Sequence, residues 1–384
     1  MNKAQVLGAK SPVQPLPHLV CSGENKPLRH LASSNLRWLK PVAVPLVAVA
    51  LALGIGAIIL AVSGANPIEA YGALIDGSLS SQKTIGRTLE KATPLIMGGL
   101  AVAFAFRAGL FNIGGQGQLV VGGIIAAAVG FGFEGLPWIV HTPLALGTGA
   151  VAGAAWGSIA GVLKATRGAH EVITTIMLNF VALNLTDWLA SNPWKDEGIL
   201  SRTPAVEESA LIPLWGSFPT GFLVAVAASI GCWYLLERTT LGFEIRSVGL
   251  NGDAARYAGI SVRQIVITTM AISGLLAGAG GAIETQGVIG RYEPGFNAGL
   301  GFNGITIALL ARNHPIGVIP AALLIGAMEA GGSMMQFNAD VAPEITDIIE
   351  ALMLLFVATP IVVRWFFSRH DVDEVSVTAG WGSS

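Results

Sequence analysis

Long apolar runs without charge, separated by short polar breaks, dominate the chain. The first run, from Pro41 to Ser63, carries no charged residue and is long enough to cross a bilayer core, which takes about 20 apolar residues in a helix. Further candidate spans lie at 92–106, 117–133, 143–163, 171–190, 219–236, 265–283, 303–312, 315–332 and 345–366. The pattern predicts about ten transmembrane helices, of which the second and eighth are short and flanked by glycine-rich breaks. A polar stretch precedes the first run, so that run reads as a retained span and not a cleaved leader, with residues 1–40 as a tail.

Composition agrees with the pattern. Of 384 residues, 52% are apolar and 12% charged, about half the charge of an ordinary soluble domain. That excludes a disordered chain and argues against a soluble enzyme, whose surface must be clothed in charge. The net charge of -2 says nothing about partners. Cys21 sits in the polar tail and Cys232 in an apolar run, which is no disulfide framework. With an inside N-terminus, ten crossings place 16 of the 22 Lys and Arg on the cytoplasmic side, so both termini are expected there. Two outside segments are long enough to hold structure. In the segment from Gly64 to Lys91, residues 68–75 have the apolar spacing of an amphipathic helix lying on the bilayer, or of a simple connecting helix. The second, 191–219, is rich in Pro, Trp and acids, and is expected to cap the outer mouth or meet an external partner.

Within the spans, Gly149, Gly153, Gly157 and Gly161 recur every four residues. This side-chain-free stripe calls for close packing of another helix. Gly274 and Gly278 repeat the device more briefly. The segment from Arg107 to Gln118 is dense in glycine and amides, and supports two readings, a tight cytoplasmic turn or a break in a substrate path. A similar interruption, 299–304, again sets Phe-Asn beside glycines, which suggests two related halves with discontinuous segments. Candidate path residues are therefore Asn112, Gln116, Gln118, Asn179 and Asn303, whose amides suit sugars, nucleosides and amino acids alike. Asn184 and Asp187 share a span with Asn179, but the two asparagines do not share a narrow stripe. Glu344, Asp347 and Glu350 make an acidic edge on the last span, expected to be solvated at its mouth.

The longest inside loop, 237–264, is too regular for a tether. Residues 253–258 are good helix formers between Gly252 and a stop at Gly259, giving one short helix that could take up force from a soluble partner. Four motifs then carry a resemblance: GLFNIGGQGQ at 109–118, HEVITTIMLNF at 170–180, LGFEIRSVGLNGDAARYAGI at 241–260 and GFNGITIALLARNHPIG at 301–317. In order and spacing, the chain resembles the permease subunits of bacterial ABC importers for simple sugars, branched-chain amino acids and nucleosides, most of all the nucleoside type. The resemblance covers 41–367, an expected transmembrane domain, and leaves 368–384 as a second cytoplasmic tail. It implies an inner-membrane location, a second permease of the same or another chain, two ATPase subunits, an extracytoplasmic solute-binding protein and a small polar solute. It also implies that Asn251, Ala254, Ala255, Arg256, Tyr257 and Gly259 belong to a coupling helix docking on the ATPase. The chain has no Gly-Lys dipeptide, hence no phosphate loop of its own. Neither cofactor, metal nor nucleic acid is expected, since His170-Glu171 lacks the second His of a zinc helix. An ion-driven secondary transporter or an intramembrane enzyme would be the alternatives.

Overall fold

A computed structural model describes residues 40–295, 299–342 and 344–358. The two expected tails, and the end of the last expected span, lie outside the described residues. These hold thirteen α-helices and one two-residue hairpin, Leu214–Trp215 with Phe218–Pro219. The first seven helices are α1 (Lys40–Val62), α2 (Pro67–Leu79), α3 (Gln82–Arg107), α4 (Gly115–Gly132), α5 (Trp138–Arg167), α6 (Glu171–Ser191) and α7 (Gly221–Arg238). They are followed by α8 (Thr240–Leu250), α9 (Gly252–Tyr257), α10 (Val262–Glu284), α11 (Leu300–Leu310), α12 (Pro315–Ala339) and α13 (Glu344–Ala358). The last turn of α10 widens into a π-helical segment, Thr285–Ile289. The protein is an all-α polytopic membrane protein.

All ten candidate spans fall on helices, and eight of these helices are long and apolar enough to cross a membrane among the described residues. The other two are α13, of which the described residues hold 15, and α11, whose 11 residues span about 16 Å at 1.5 Å per residue, half a bilayer core. The second candidate grows to the 26 residues of α3. Its first turns carry Lys83, Arg87, Glu90 and Lys91, which hide it from hydropathy. They fold as helix because Ser81 and Thr84 form a reciprocal capping box.

The helices divide into a centre and a ring. The apolar windows of α3, α4 and α10 are 78%, 72% and 67% buried, against 22 to 28% for α1, α5, α6 and α7. Ring helices therefore turn most of their apolar side chains outward, as lipid permits. The glycine stripe of α5 lies on α10. A β-carbon on Gly153 would stand 2.6 Å from the Gly278 Cα, and one on Gly157 would stand 2.7 Å from the Met270 carbonyl oxygen. Gly149 faces Gly122 of α4 and Ala282, while Gly161 faces Met270, so the stripe lets backbones meet where any side chain would separate them.

α2 is more than a surface helix. Asn66 caps its start, Gly77 packs on Met334 and Gly331 of α12, and the Tyr71 hydroxyl donates to the Leu53 carbonyl of α1 at 2.6 Å. Burial raises the Tyr71 pKa above its ordinary value, so this hydroxyl stays a donor. Ile68 and Ile75 remain exposed. In the 191–219 segment, Thr203 and Val206 donate backbone bonds to the Tyr292 and Gly290 carbonyls, tying that loop to the end of α10.

Candidate functional site

The chain breaks between α3 and α4, where Gly109 adopts φ +70 and turns the backbone into the bundle. α4 starts behind Gly114 and α11 behind Gly299, and neither residue makes a side-chain cap. The free N–H groups of a first helical turn must find partners elsewhere. Amides from other positions supply them. Asn179 of α6 accepts from the Gly117 N–H at 2.8 Å and donates to the Ile113 carbonyl at 2.9 Å. Gln116 of α4 accepts from the Gly301 N–H at 2.8 Å, so the two interruptions seen in the sequence meet one another.

Asn112 and Gln118 add a second fastening. Their side-chain amides pair reciprocally at 2.9 and 3.1 Å. Asn112 also accepts from the Gly114 N–H at 3.0 Å and donates to the Ser273 hydroxyl at 2.7 Å, and that hydroxyl donates to the Ala101 carbonyl at 2.6 Å. Asn112, Gln116, Gln118 and Asn179 are at most 4% exposed. In this conformation the four form a clasp joining α3, α4, α6, α10 and α11 across the break. Asn184 and Asp187, on the other faces of α6, are exposed.

Asn303, the fifth candidate, stands apart from the clasp. Its amide donates to Glu329 at 3.3 Å and to Glu350 at 3.4 Å. Glu344 and Asp347 are exposed, as expected of an acidic edge, but Glu350 is buried. It lies one turn further along α13 and faces α11 and α12, so the expectation of a wholly solvated edge fails there. Glu284 and Glu329 went unnoticed in the sequence. Their signal was a lone carboxylate in an otherwise apolar span.

The 237–264 loop holds two helices, α8 and α9, where the sequence suggested one. Asn251 caps α9, accepting from the Asp253 and Ala254 N–H groups at 3.0 Å each, and Gly259 ends the turn at φ +86. Ala255 is buried, whereas Ala254, Arg256 and Tyr257 point outward, Tyr257 with 94% exposure. Tyr257 stands beside an exposed Asp253–Arg256 pair. α8 connects α9 to the break. A β-carbon on Gly249 would stand 2.9 Å from the Ala108 carbonyl carbon. Glu237 bridges Arg246 of α8 to Arg107 at the end of α3, the latter at 3.5 Å, and Arg107 donates to the Asn313 carbonyl at 2.9 Å. Glu171 of the HEVITTIMLNF motif pairs with Lys164 at 2.6 Å and fastens the α5–α6 turn. Among the described residues no group of three or more His, Cys, Asp or Glu could hold a metal.

A ring of lipid-facing helices around a broken centre, with an exposed helix fastened to the break, defines a membrane transport subunit. Residues 84–358 match the family described as the permease component of branched-chain amino acid transport systems, and the chain belongs to that family. It is similar to the guanosine ABC transporter permease NupP of Bacillus subtilis, 42% identical over 87% of this chain and 98% of that protein. The nucleoside ABC transporter permease NupB of Lactococcus lactis is 35% identical over 88% of this chain and 96% of its own. The glucose ABC transporter permease TsgB13 of Haloferax volcanii is also 35% identical, over 87% and 90%. The chain is thus the permease component of an ABC transporter, a transport subunit and not an enzyme.

Proposed function

We propose that this permease imports nucleosides across a bacterial inner membrane. The observation that supports it most is the 42% identity to a guanosine permease over 98% of that protein's length. A second reading, a simple sugar, is favoured by the 35% identity to a glucose permease. The named solutes share a hydroxylated carbon skeleton, which fits a path lined with amides and without metal. The system comprises a second permease, ATPase subunits on the cytoplasmic face and an extracytoplasmic binding protein opposite. Both termini are cytoplasmic, and 41–367 forms the transmembrane domain between the tails 1–40 and 368–384.

α9, with Asn251, Ala254, Ala255, Arg256, Tyr257 and Gly259, docks on the ATPase. When the ATPase moves α9, α8 moves with it, and Gly249 bears directly on the Arg107–Ala108 backbone. The displacement reaches the 108–114 turn and loosens the Asn112–Gln118 clasp, exposing Asn112, Gln116, Gln118, Asn179 and Asn303 to solute. The test is uptake of labelled guanosine and glucose by cells expressing the complete system. Guanosine uptake dependent on this chain is expected; uptake of glucose without any nucleoside would overturn the nucleoside reading.

A further inference from the structure

Three carboxylates, Glu284, Glu329 and Glu350, lie on α10, α12 and α13, the last two bonded to Asn303, and take no part in the clasp. Glu329 and Glu350 share the Asn303 amide at 3.3 and 3.4 Å, long bonds for one donor holding two acids. Glu284 closes α10. One turn before it, Gly280 meets Met97 of α3 and Gly281 meets Leu119 of α4, so Glu284 projects between those two central helices. Its charge interacts with Lys91 and Glu329, and that of Glu329 interacts with Lys91 and Glu350. Groups on α3, α10, α11, α12 and α13 thus act on one another inside the bundle.

Two oxygens of these acids lack a protein donor. Glu284 Oε2 and Glu350 Oε1 are buried without a hydrogen-bond partner, in residues 3% and 9% exposed. Leaving a buried carboxylate oxygen without a donor inside a membrane protein is costly, and such groups mark candidate solute paths. Glu90 acts on Glu284, and Asp347 on Glu329 and Glu350, so acids outnumber the single charge of Lys91 and repel an anionic solute. They favour a neutral one that brings several donors and needs few acceptors. Paired hydroxyls on adjacent carbons fit, since they can donate two near-parallel bonds to one carboxylate.

We propose that Glu284, Glu329 and Glu350 form a hydroxyl-binding station on the solute path, which grips the sugar hydroxyl pair of the solute. The identification of that sugar as a ribose rests on the nucleoside reading above. Asn303 holds two of the acids in register, and Lys91 limits their mutual repulsion.

The test uses the complete transporter with its unaltered binding protein, offered guanosine and 2′,3′-dideoxyguanosine at saturating concentration. Glu284→Gln and Glu350→Gln keep the side-chain shape and replace one acceptor by a donor. Unaltered transporter is expected to favour guanosine roughly tenfold, and each variant to lower that ratio about threefold or more, the range of a lost charge-assisted hydrogen bond. Because the ratio comes from a single preparation, poor folding of a variant cancels; because the binding protein is constant, so does its own selectivity. A ratio unchanged in both variants overturns the station and leaves the nucleoside reading standing, even if total uptake falls. If unaltered transporter carries glucose but neither nucleoside, the nucleoside reading falls. The same variants are then compared on glucose and 2-deoxyglucose, where a lowered ratio upholds the station and an unchanged one overturns it.

Discussion

Asn179→Ala tests whether remote amides hold the break together. The substitution removes a side chain whose two bonds, at 2.8 and 2.9 Å, satisfy a donor at the start of α4 and an acceptor in the turn before it. Both backbone groups would be left without that partner. Interhelical hydrogen bonds in membrane proteins average about 0.6 kcal/mol, and a buried group left unsatisfied costs about 1–3 kcal/mol, so the pair together gives a loss of about 1–4 kcal/mol. Asn184→Ala is the internal control. Asn184 lies on the same helix and bonds the Phe180 carbonyl of its own helix at 2.7 Å, while its side chain faces outward, so a change below about 0.5 kcal/mol is expected. Thermal unfolding of the two purified permeases, followed by tryptophan fluorescence, should separate them by several degrees. Uptake should fall in the first variant and persist in the second. If both melt together with the unaltered protein, the clasp does not hold the break and the account of its opening fails.

Three further outcomes are expected. Gly278→Val should abolish folded permease in membranes, because its side chain would enter the Gly149 and Gly153 backbones; overpacking of this kind costs about 1–3 kcal/mol or more, and yield of monodisperse protein in detergent measures it. Gly249→Ala should reduce solute moved per ATP hydrolysed while the complex still assembles, because the added methyl pushes on Arg107 and Ala108; unchanged stoichiometry would show that α8 does not transmit the movement. Arg256→Glu and Tyr257→Ala should lower ATPase co-purification without shifting the melting temperature, since both side chains are exposed and carry little of the fold.

Some of this was legible in the residues alone. The glycines every four residues required a close neighbour, and the helix formers after Gly252 with the stop at Gly259 marked α9. Other parts were hidden for identifiable reasons. The first turns of α3 carry four charges in ten residues, and a local capping box overrides what hydropathy reports. α8 was missed because its apolar spacing lies within a basic loop whose charges read as topology signals. Glu350 looked solvated beside Glu344 and Asp347, and only its position facing α11 makes it buried.

What the sequence determined by itself was the solvent each segment meets: apolar runs must lie in lipid or protein, glycine stripes must touch backbone, and a run of helix formers between glycines makes a short helix. Those requirements act over a few residues and are written into them. Which helices form the centre was decided by tertiary structure, for α3 and α4 are no more hydrophobic than α5 and α6, and the most hydrophobic helix, α1, lies in the ring. The partners of the amides were decided there too. Asn112 meets Ser273 across 161 residues of chain, and Gln116 meets Gly301 across 185. An amide can hydrogen-bond almost any group, so its chemistry alone selects no partner, and packing makes the choice.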